Sequence, residues 1–346
     1  MDALERVADN VELVSTFRSF DADGDGPRQE ALRKQGAAHA QKLLREWRAA
    51  PAEQRPDLWF TYHVYYKAPD WLGPAVSDAL GIPYVIAEAS YAQKRASGPW
   101  AMGHEAVADA INRARLVISP SRDDLEGLRE LVPQERIVHL APFIDPEPYR
   151  VAAKERKKHR ERLARKHGLD ASVPWIVVAA MMRSGDKLAS YRALAATLAQ
   201  LADLPWDLVV AGDGAARREV EAALQAAAPG RVSFLGTLAP RELAEVYAAG
   251  DLYAWPAVNE AYGMALLEAQ AAGLPVVSVA ARGVPDVVVH GRTGLLAEKD
   301  ITAPLRELLS DAQRRATLGR EAAAFIAAER SLDAAARRLK RLLATP

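Results

Sequence analysis

Cysteine is absent from this chain of 346 residues. Disulfide bonds, thiolate metal sites and cysteine nucleophiles are therefore excluded. A protein without cysteine fits a reducing compartment, and we predict a cytoplasmic location.

Excess charge and long apolar runs are also lacking. Lysine plus arginine and aspartate plus glutamate both number 45, so no global basic field recruits nucleic acid, which we do not expect as a partner. No apolar run approaches the length of a membrane-spanning helix. The first ten residues, MDALERVADN, carry acidic residues where a signal peptide is basic and then apolar, so we expect no secretion by that route.

What is present is an ordinary globular composition, with 50% hydrophobic and 26% charged residues. The length exceeds what one core usually serves, which favours two domains. Short apolar runs alternate with helical segments along the chain, a pattern typical of α/β proteins with parallel sheets.

One β-α-β unit stands out between two apolar runs, DLYAWP (251–256) and PVVSVA (275–280). The segment between them, VNEAYGMALLEAQAAGLP (258–275), should be the crossover helix. Gly263 opens the helix, Gly273 suits a left-handed cap and Pro275 stops it. We expect Met264, Leu267, Ala271 and Ala272 to form its apolar stripe, with Glu268 on the flank of that stripe.

Two carboxylates on this segment suggest a ligand site. Glu268 is expected to be partly buried, and a buried carboxylate needs a partner. Glu260 lies eight residues earlier, roughly 12 Å away along the axis if the whole stretch is helical. Between the two lie the free N–H groups of Tyr262, Gly263 and Met264, which favour an anion. A nucleotide sugar has hydroxyls at both ends and phosphate in the middle, and so fits; the alternative is that both glutamates are structural.

Further candidates follow other strands of the second half. The strand WIVVAA (175–180) leads to Arg183 and Lys187, two cations that can pair with phosphate. The run WDLVVA (206–211) leads into GDGAAR, where a dinucleotide site would require glycine in place of Arg217. A dehydrogenase is therefore improbable on this motif.

The first half offers weaker signals. His63 and Glu88 each end a strand-like run, where ligands of parallel sheets collect, although both can equally be structural. The segment DADGDG (21–26) copies the front of a calcium loop but has Leu32 at the twelfth position, so we expect a surface loop and no metal site. The basic run from Lys154 to Lys166 is interpreted as a solvated linker helix or as a contact with anionic lipid or a phosphorylated acceptor.

The stretch EAYGMALLE (260–268), continuing through EAQAAGLPVVSV and GVPDVVVHGRTGLL, resembles the donor-site signature of family 4 retaining glycosyltransferases with the GT-B fold. The resemblance is dense from Ile176 to Asp300 and looser back to Val11. It implies two Rossmann-like, doubly wound parallel-sheet domains that face each other across a cleft. We predict an acceptor-side domain over 1–146, a basic linker over 147–172, a donor domain over 173–330 and a helix over 331–346 that crosses back to the first domain.

The same resemblance implies roles for particular residues. Arg183, Lys187 and Glu260 are the expected catalytic groups, the two cations holding the diphosphate and Glu260 orienting the sugar hydroxyls. Glu268 is expected to bind the ribose and Leu238 to lie against the base. The remaining donor-site residues are Gly212, Tyr262, Gly263 and Met264. No cofactor, metal or covalent nucleophile is expected. Glu88 departs from the histidine that relatives often carry at that position, where it touches the donor sugar.

The start of the chain also differs from that family. Met1 to Ala8 resemble only the end of the helix that follows the first strand and glycine-rich loop of relatives, so we expect a first domain without that central strand. The expected partners are a nucleotide sugar and a saccharide, lipid or small-molecule acceptor, with peripheral membrane contact through Lys154–Lys166. Two rival interpretations are a sugar-nucleotide epimerase of the same architecture and a non-catalytic nucleotide-sugar-binding protein.

Overall fold

A computed structural model describes residues 1–344 of the chain. The internal contacts divide it into two compact units. The N-terminal unit is Glu12–Ala141, and the C-terminal unit combines Met1–Val11 with the chain from Pro142 onward. The first helix, α1 (Asp2–Glu5), belongs to the C-terminal unit. The division thus falls at Ala141/Pro142, where the sequence placed the boundary near residue 146.

The N-terminal unit is a parallel sheet covered by helices. Within the described residues, its sheet has four strands in the order β1-β2-β3-β4. The strands are β1 (Trp59–Val64), β2 (Tyr84–Ala89), β3 (Leu116–Ser119) and β4 (Ile137–His139). Its helices are α2 (Gly26–Ala49), α3 (Gly73–Leu80), α4 (Ala101–Arg113) and α5 (Asp123–Arg129), with 3₁₀ turns at Ala52–Gln54, Gln93–Arg95 and Gln134–Arg136.

The strands of this sheet are contiguous, and the absence of the relatives' first strand stays a prediction. The four strands pair with one another without a gap, and β1 is an edge strand. No two neighbouring strands among the described residues have therefore been separated by a missing one. Side chains of the two central strands, such as Val85, Ile86 and Val117, are fully buried, as expected for strands covered on both faces.

The C-terminal unit contains a larger parallel sheet. Among the described residues it has six strands in the order β10-β9-β8-β5-β6-β7. The strands are β5 (Trp175–Ala179), β6 (Asp207–Ala211), β7 (Val232–Gly236), β8 (Leu252–Trp255), β9 (Val276–Val279) and β10 (Gly294–Ala297). The helices are α6 (Glu147–Lys154), α7 (Arg156–His167), α8 (Asp186–Ala199), α9 (Arg217–Ala227), α10 (Pro240–Ala249), α11 (Met264–Ala271), α12 (Val284–Val287), α13 (Thr302–Ser310), α14 (Ala312–Glu329) and α15 (Leu332–Ala344).

The winding of this sheet reverses between β5 and β8. From β5 the chain proceeds outward through β6 to β7, and from β8 it proceeds the other way through β9 to β10. Loops that follow β5 and β8 therefore diverge from neighbouring strand ends and leave a crevice between them. Ligands of open parallel sheets bind at such a switch point, outside the carboxyl ends of the strands.

The predicted basic linker is instead a packed part of the C-terminal unit. Helices α6 and α7 both pack against α10. Arg156 and Arg160, four residues apart on α7, form ion pairs with the carboxylate of Asp251 at 2.7 and 2.8 Å. The Arg160 guanidinium also lies 4.2 Å from the ring centroid of Trp175. The linker interpretation is corrected because the cations on one face of α7 are committed to this core.

Helix α15 packs against α1 and α14, which belong to the same unit. The last two residues of the predicted 331–346 helix lie outside the described part of the chain. Among the described residues, no helix combines the length and apolarity that crossing a bilayer requires.

Candidate functional site

The switch point brings together two predicted site residues from distant parts of the sequence. Lys187 is the second residue of α8, which follows β5, and Glu260 lies in the loop after β8. The Lys187 Nζ and Glu260 Oε2 atoms are 2.5 Å apart, and the two side chains are only 17% and 15% exposed. A shielded ion pair thus lies at the place where the fold predicts a ligand.

Trp255 completes this pair and was missed by the sequence analysis. It is the last residue of β8, and its Nε1 donates a hydrogen bond of 3.2 Å to Glu260 Oε2. Its ring also lies 5.5 Å from Lys187 Nζ. The sequence did contain a signal for Trp255. This residue can donate a hydrogen bond, and it ends the strand that leads into the segment with Glu260. Glu260 is therefore fixed by two donors on rigid elements.

Arg183 differs from Lys187 in its surroundings. It lies in the loop between β5 and α8 and is exposed. Its side chain makes no hydrogen bond or ion pair with any other residue of the described 1–344 range. Arg183 is thus the cation of this site that can pair with an incoming anion without first losing a protein partner.

Gly212 allows close packing against the loop that contains Arg183. It follows β6 with φ 136°, and a Cβ there would lie 2.0 Å from the carbonyl oxygen of Ala180. The Met182 N–H donates to the Asp213 carbonyl at 2.9 Å. Only glycine allows this close approach of the two strand-end loops, so the contact of Gly212 is with the protein backbone.

Helix α11 begins at Met264, so Glu260 is not helical. The Glu260 N–H donates to the Ala257 carbonyl at 3.2 Å in a turn, and Gly263 is the N-cap with φ 71°. The helix therefore opens at Gly263, as predicted, and the axial distance given for a wholly helical stretch does not apply. Met264 is 43% exposed and not part of the apolar face, because in the first helical turn it projects beyond the residues that pack. The buried face comprises Leu266, Leu267, Ala269, Gln270 and Ala271.

A chain of polar contacts connects α8 and two loops around this site. Asn259 Nδ2 donates to Asp186 Oδ2 at 2.8 Å, and Arg282 Nη1 donates to Asn259 Oδ1 at 3.0 Å. Asp186 is the first residue of α8, whereas Asn259 and Arg282 lie in the loops after β8 and β9. Asn259 and Arg282 have φ values of 53° and 47°, which non-glycine residues rarely adopt. Such strain is typical of functional loops held by their surroundings.

Glu268 has the partner that its burial requires. The hydroxyl of buried Tyr247 on α10 donates to Glu268 Oε2 at 2.9 Å, and the ring of Tyr149 on α6 lies 6.1 Å from the Tyr247 ring, centroid to centroid. Burial raises the pKa of Glu268, and the phenols of Tyr247 and Tyr149 partly oppose that rise. Neither tyrosine is among the residues predicted from the sequence, since both are distant in sequence from Glu268.

The remaining predicted donor-site residues lie near these groups or beside another strand. Tyr262 lies next to Gly283, where a Cβ would be 3.4 Å from its ring and 1.7 Å from the Ala261 carbonyl oxygen. Leu238 follows the edge strand β7 and is half-buried against the core of the unit. Leu238 is therefore positioned by β7, whereas Glu260 is positioned by β8.

His63 and Glu88 form a separate cluster in the N-terminal unit. They lie at the carboxyl ends of the paired strands β1 and β2, with His63 Nδ1 3.6 Å from Glu88 Oε1. Both backbones are left-handed, with φ values of 65° and 62°. Partial desolvation of the phenol, together with the neighbouring Glu88 carboxylate, raises the pKa of Tyr62 to about 12, although the residue is 69% exposed.

The acidic loop at 21–26 has structural contacts. Asp21 is buried and accepts a hydrogen bond of 3.0 Å from Gln29 Nε2, while Asp25 caps α2 by accepting from the Arg28 N–H. Among the described residues, no group of three or more histidine, aspartate and glutamate side chains is arranged to hold a metal ion.

Residues 174–311, which contain the switch-point loops, match the family model of glycosyl transferases group 1. Over 293 residues the chain is 30% identical to D-inositol 3-phosphate glycosyltransferase of Rhodococcus erythropolis, covering 78% of this chain and 64% of that protein. Over 117 residues it is 42% identical to the protein of that name in Corynebacterium aurimucosum, covering 33% of this chain and 28% of that protein. The chain thus spans less than two thirds of the length of these curated relatives.

Solved structures with the same fold include Anabaena Alr3699/HepE in complex with UDP. The TM-score is 0.68 at 19% identity, and the match covers 88% of this chain and 82% of that one. A glycosyltransferase from Rickettsia africae gives a TM-score of 0.70 at 14% identity, covering 94% and 85%. These likenesses confirm the predicted GT-B fold class with two parallel-sheet α/β units. Together with the family model, they support a GT-B glycosyltransferase.

Proposed function

We propose that the protein is a retaining, metal-independent glycosyltransferase of family 4 that moves a sugar from a nucleoside diphosphate to an acceptor hydroxyl. The observation that carries the proposal is the shielded Lys187–Glu260 pair at the switch point, beside the N-terminus of α11. The pair supplies a cation for phosphate and an acceptor for sugar hydroxyls within one small volume.

In this reaction the bond between the anomeric carbon and the diphosphate oxygen breaks, and the electron pair stays on the diphosphate. The acceptor oxygen bonds to the anomeric carbon on the same face, and its proton passes to the departing diphosphate. Arg183, Lys187 and the free N–H groups at the start of α11 would stabilise the negative charge that develops on the leaving group. Such cations replace the divalent metal ion that other transferases use, and no covalent nucleophile is assigned.

The two glutamates divide the donor between them. Glu260 would accept hydrogen bonds from the transferred sugar, because its carboxylate lies beside Lys187, one of the two cations assigned to the diphosphate. Glu268 would accept hydrogen bonds from the ribose, and Leu238 would contact the base. When the diphosphate arrives it competes with Glu260 for Lys187, whereas Arg183 is already available.

We assign the acceptor to the N-terminal unit, where Tyr62, His63 and Glu88 offer polar groups at adjacent strand ends. D-Inositol 3-phosphate, which the curated relatives are named for, is the first acceptor to try. His63→Ala should raise the KM for the acceptor and leave nucleotide affinity unchanged. A selective loss of nucleotide affinity in this variant would contradict the assignment.

We also propose that the exposed cations of α6 and α7, Lys154, Lys157, Arg165 and Lys166, contact anionic lipid. Co-sedimentation with phosphatidylglycerol vesicles, but not with phosphatidylcholine vesicles, is the expected result. Equal recovery with both would remove this part of the proposal.

The central experiment measures binding of UDP, GDP and ADP and of their sugars by titration calorimetry. Glu268→Ala should weaken the binding of both the free nucleoside diphosphate and the sugar nucleotide. Glu260→Ala should weaken the binding of the sugar nucleotide only. Glu219→Ala, at an exposed ion pair on α9, is the control and should change neither. Equal losses for both ligands in both site variants would refute the division of roles.

Turnover assays then separate the rival functions. Transfer to an acceptor should proceed unchanged in the presence of chelator. An epimerase would convert the sugar nucleotide without any acceptor, and a binding protein would bind it without turnover. Loss of activity with chelator and its recovery with magnesium would contradict metal independence.

A further inference from the structure

Two neighbouring residues of one loop face two neighbouring residues of one helix beside the candidate site. Glu260 pairs with Lys187, and the preceding residue, Asn259, donates through Nδ2 to Oδ2 of Asp186 at 2.8 Å. Asp186 and Lys187 are the first two residues of α8, whereas the two loop residues follow β8. The first pair contains two groups assigned to the donor, whereas the second pair has no role in the proposed function.

The Asn259 side chain is held at both ends of its amide. Its Nδ2 donates to Asp186, and its Oδ1 accepts a hydrogen bond of 3.0 Å from Arg282 Nη1. An amide carries a donor and an acceptor on one short side chain, whereas an ionised aspartate only accepts and alanine does neither. One residue thus joins the loop after β8 both to helix α8 and to the loop after β9.

The backbone of the loop after β8 depends on contacts of this kind. Ala257 and Asn259 have φ values of 56° and 53°, a conformation that residues with a side chain rarely adopt. The Val258 N–H donates to Oγ of buried Ser190 on α8 at 3.0 Å, which is a second connection to the same helix. Such backbone conformations persist only where the surroundings impose them. We therefore expect the position of Glu260, the next residue, to depend on these contacts.

We propose that Asn259 is a positioning residue that holds Glu260 in place when a sugar nucleotide binds. The inference rests on the proposed function, in which the diphosphate competes with Glu260 for Lys187. Once Lys187 pairs with phosphate, the ion pair restrains Glu260 less. The hydrogen bonds of Asn259 do not involve that cation and therefore persist, so the carboxylate remains where the sugar hydroxyls require it.

This role predicts a loss of affinity that is confined to ligands with the sugar. Both hydrogen bonds of Asn259 are exposed, so each contributes modestly. We expect Asn259→Ala to lower the affinity for the sugar nucleotide roughly 3–10-fold. The affinity for the free nucleoside diphosphate should stay unchanged, because Arg183 and Lys187 follow β5 and do not belong to the displaced loop.

An exchange of the two side chains tests the hydrogen bond itself. Asn259→Asp places a carboxylate opposite Asp186 and should lose at least as much sugar-nucleotide affinity as Asn259→Ala. Adding Asp186→Asn restores the donor and the acceptor in reversed order and leaves a carboxylate oxygen for Arg282. The double variant also has the net charge of the wild type. It should therefore recover most of the affinity that Asn259→Asp loses.

Titration calorimetry at neutral pH provides the measurement, with UDP, GDP and ADP and with the glucose derivative of each as ligands. Asn112→Ala, at an exposed asparagine of α4 in the N-terminal unit, is the matched control and should bind as the wild type does. Melting temperatures establish that each variant is folded.

The outcomes distinguish this inference from the proposed function. Equal losses for the free diphosphate and its sugar in Asn259→Ala, or a double variant as weak as Asn259→Asp, would overturn the role of Asn259. If Glu260→Ala loses sugar-nucleotide affinity while Asn259→Ala binds like the wild type, the proposed function stands and only this inference fails. If none of the nucleotides binds the wild type, the proposed function itself fails.

Discussion

At the scale of single residues, Arg183 and Lys187 follow the same strand but lie in different electrostatic surroundings. Lys187 is already neutralised by Glu260, and a phosphate must share it. Arg183 is exposed and has no partner within residues 1–344. Arg183 therefore attracts a growing negative charge without an opposing protein carboxylate, whereas Glu260 offsets the attraction of Lys187.

This difference predicts the kinetics of Arg183→Ala. If Arg183 acts mainly on the leaving diphosphate, kcat should fall roughly 100-fold while KM for the donor changes little, because the charge grows toward the transition state. Steady-state assays with varied donor measure both constants. Arg192→Ala, at an exposed ion pair on the same helix as Lys187, should behave as wild type. A large rise in KM with kcat unchanged would mean that Arg183 contributes only uniform binding.

At the scale of elements, the site is built from loops that touch one another by their backbones. The loop after β9 reaches the loop after β8 at Gly283, whose φ of −80° is ordinary but whose hypothetical Cβ would lie 1.7 Å from the Ala261 carbonyl oxygen. Space alone therefore demands glycine there. The Asn259 contacts to Asp186 and Arg282 join the same loops on the other side of Glu260.

Gly283→Ala should displace the loop that carries Glu260 and leave the sheet intact. We expect roughly a tenfold loss of sugar-nucleotide affinity, corresponding to about 1.4 kcal/mol, with far-ultraviolet circular dichroism unchanged. Gly26→Ala is the control, because nothing lies within 4 Å of its added methyl group. Wild-type affinity in Gly283→Ala would show that the contact at Ala261 does not position Glu260.

At the scale of the whole molecule, the two units have separate sheets and separate cores. Every residue assigned to the nucleotide belongs to the C-terminal unit, whereas His63 and Glu88 belong to the other unit. A ligand that binds only the native state stabilises that state by mass action. The increase in unfolding free energy applies to the cooperative unit that contains the binding site.

Nucleotide binding should therefore protect one sheet more than the other. With nucleoside diphosphate at about 100 times its Kd, hydrogen exchange of the backbone amides of β5, β6 and β8 should become slower. The free energy of the opening that permits their exchange should rise by up to about 2.7 kcal/mol. Amides of β2 and β3 should change much less. Peptide-level mass spectrometry resolves the two sets, and equal protection of both would show that the units unfold as one cooperative block.

The amino-acid sequence by itself determined the fold class and the site's neighbourhood. Valine-rich runs too short for helices, alternating with glycine-punctuated helical segments, predict parallel α/β sheets because these are local properties of the chain. The same local signals identified Glu260, Gly263, Arg183 and Lys187. Gly212 was also found, although its role in the structure is the close approach to Ala180.

Only the tertiary structure decided which of these side chains meet. Nothing local in the sequence pairs Lys187 with Glu260, 73 residues later, or brings Tyr247 onto Glu268. The basic run of α7 is polar by composition, yet Arg156 and Arg160 are committed to Asp251, about 90 residues away, because α7 packs on α10. The strand order of the sheet brings Lys187 and Glu260 together, because β5 and β8 are neighbours only where the sheet reverses its winding.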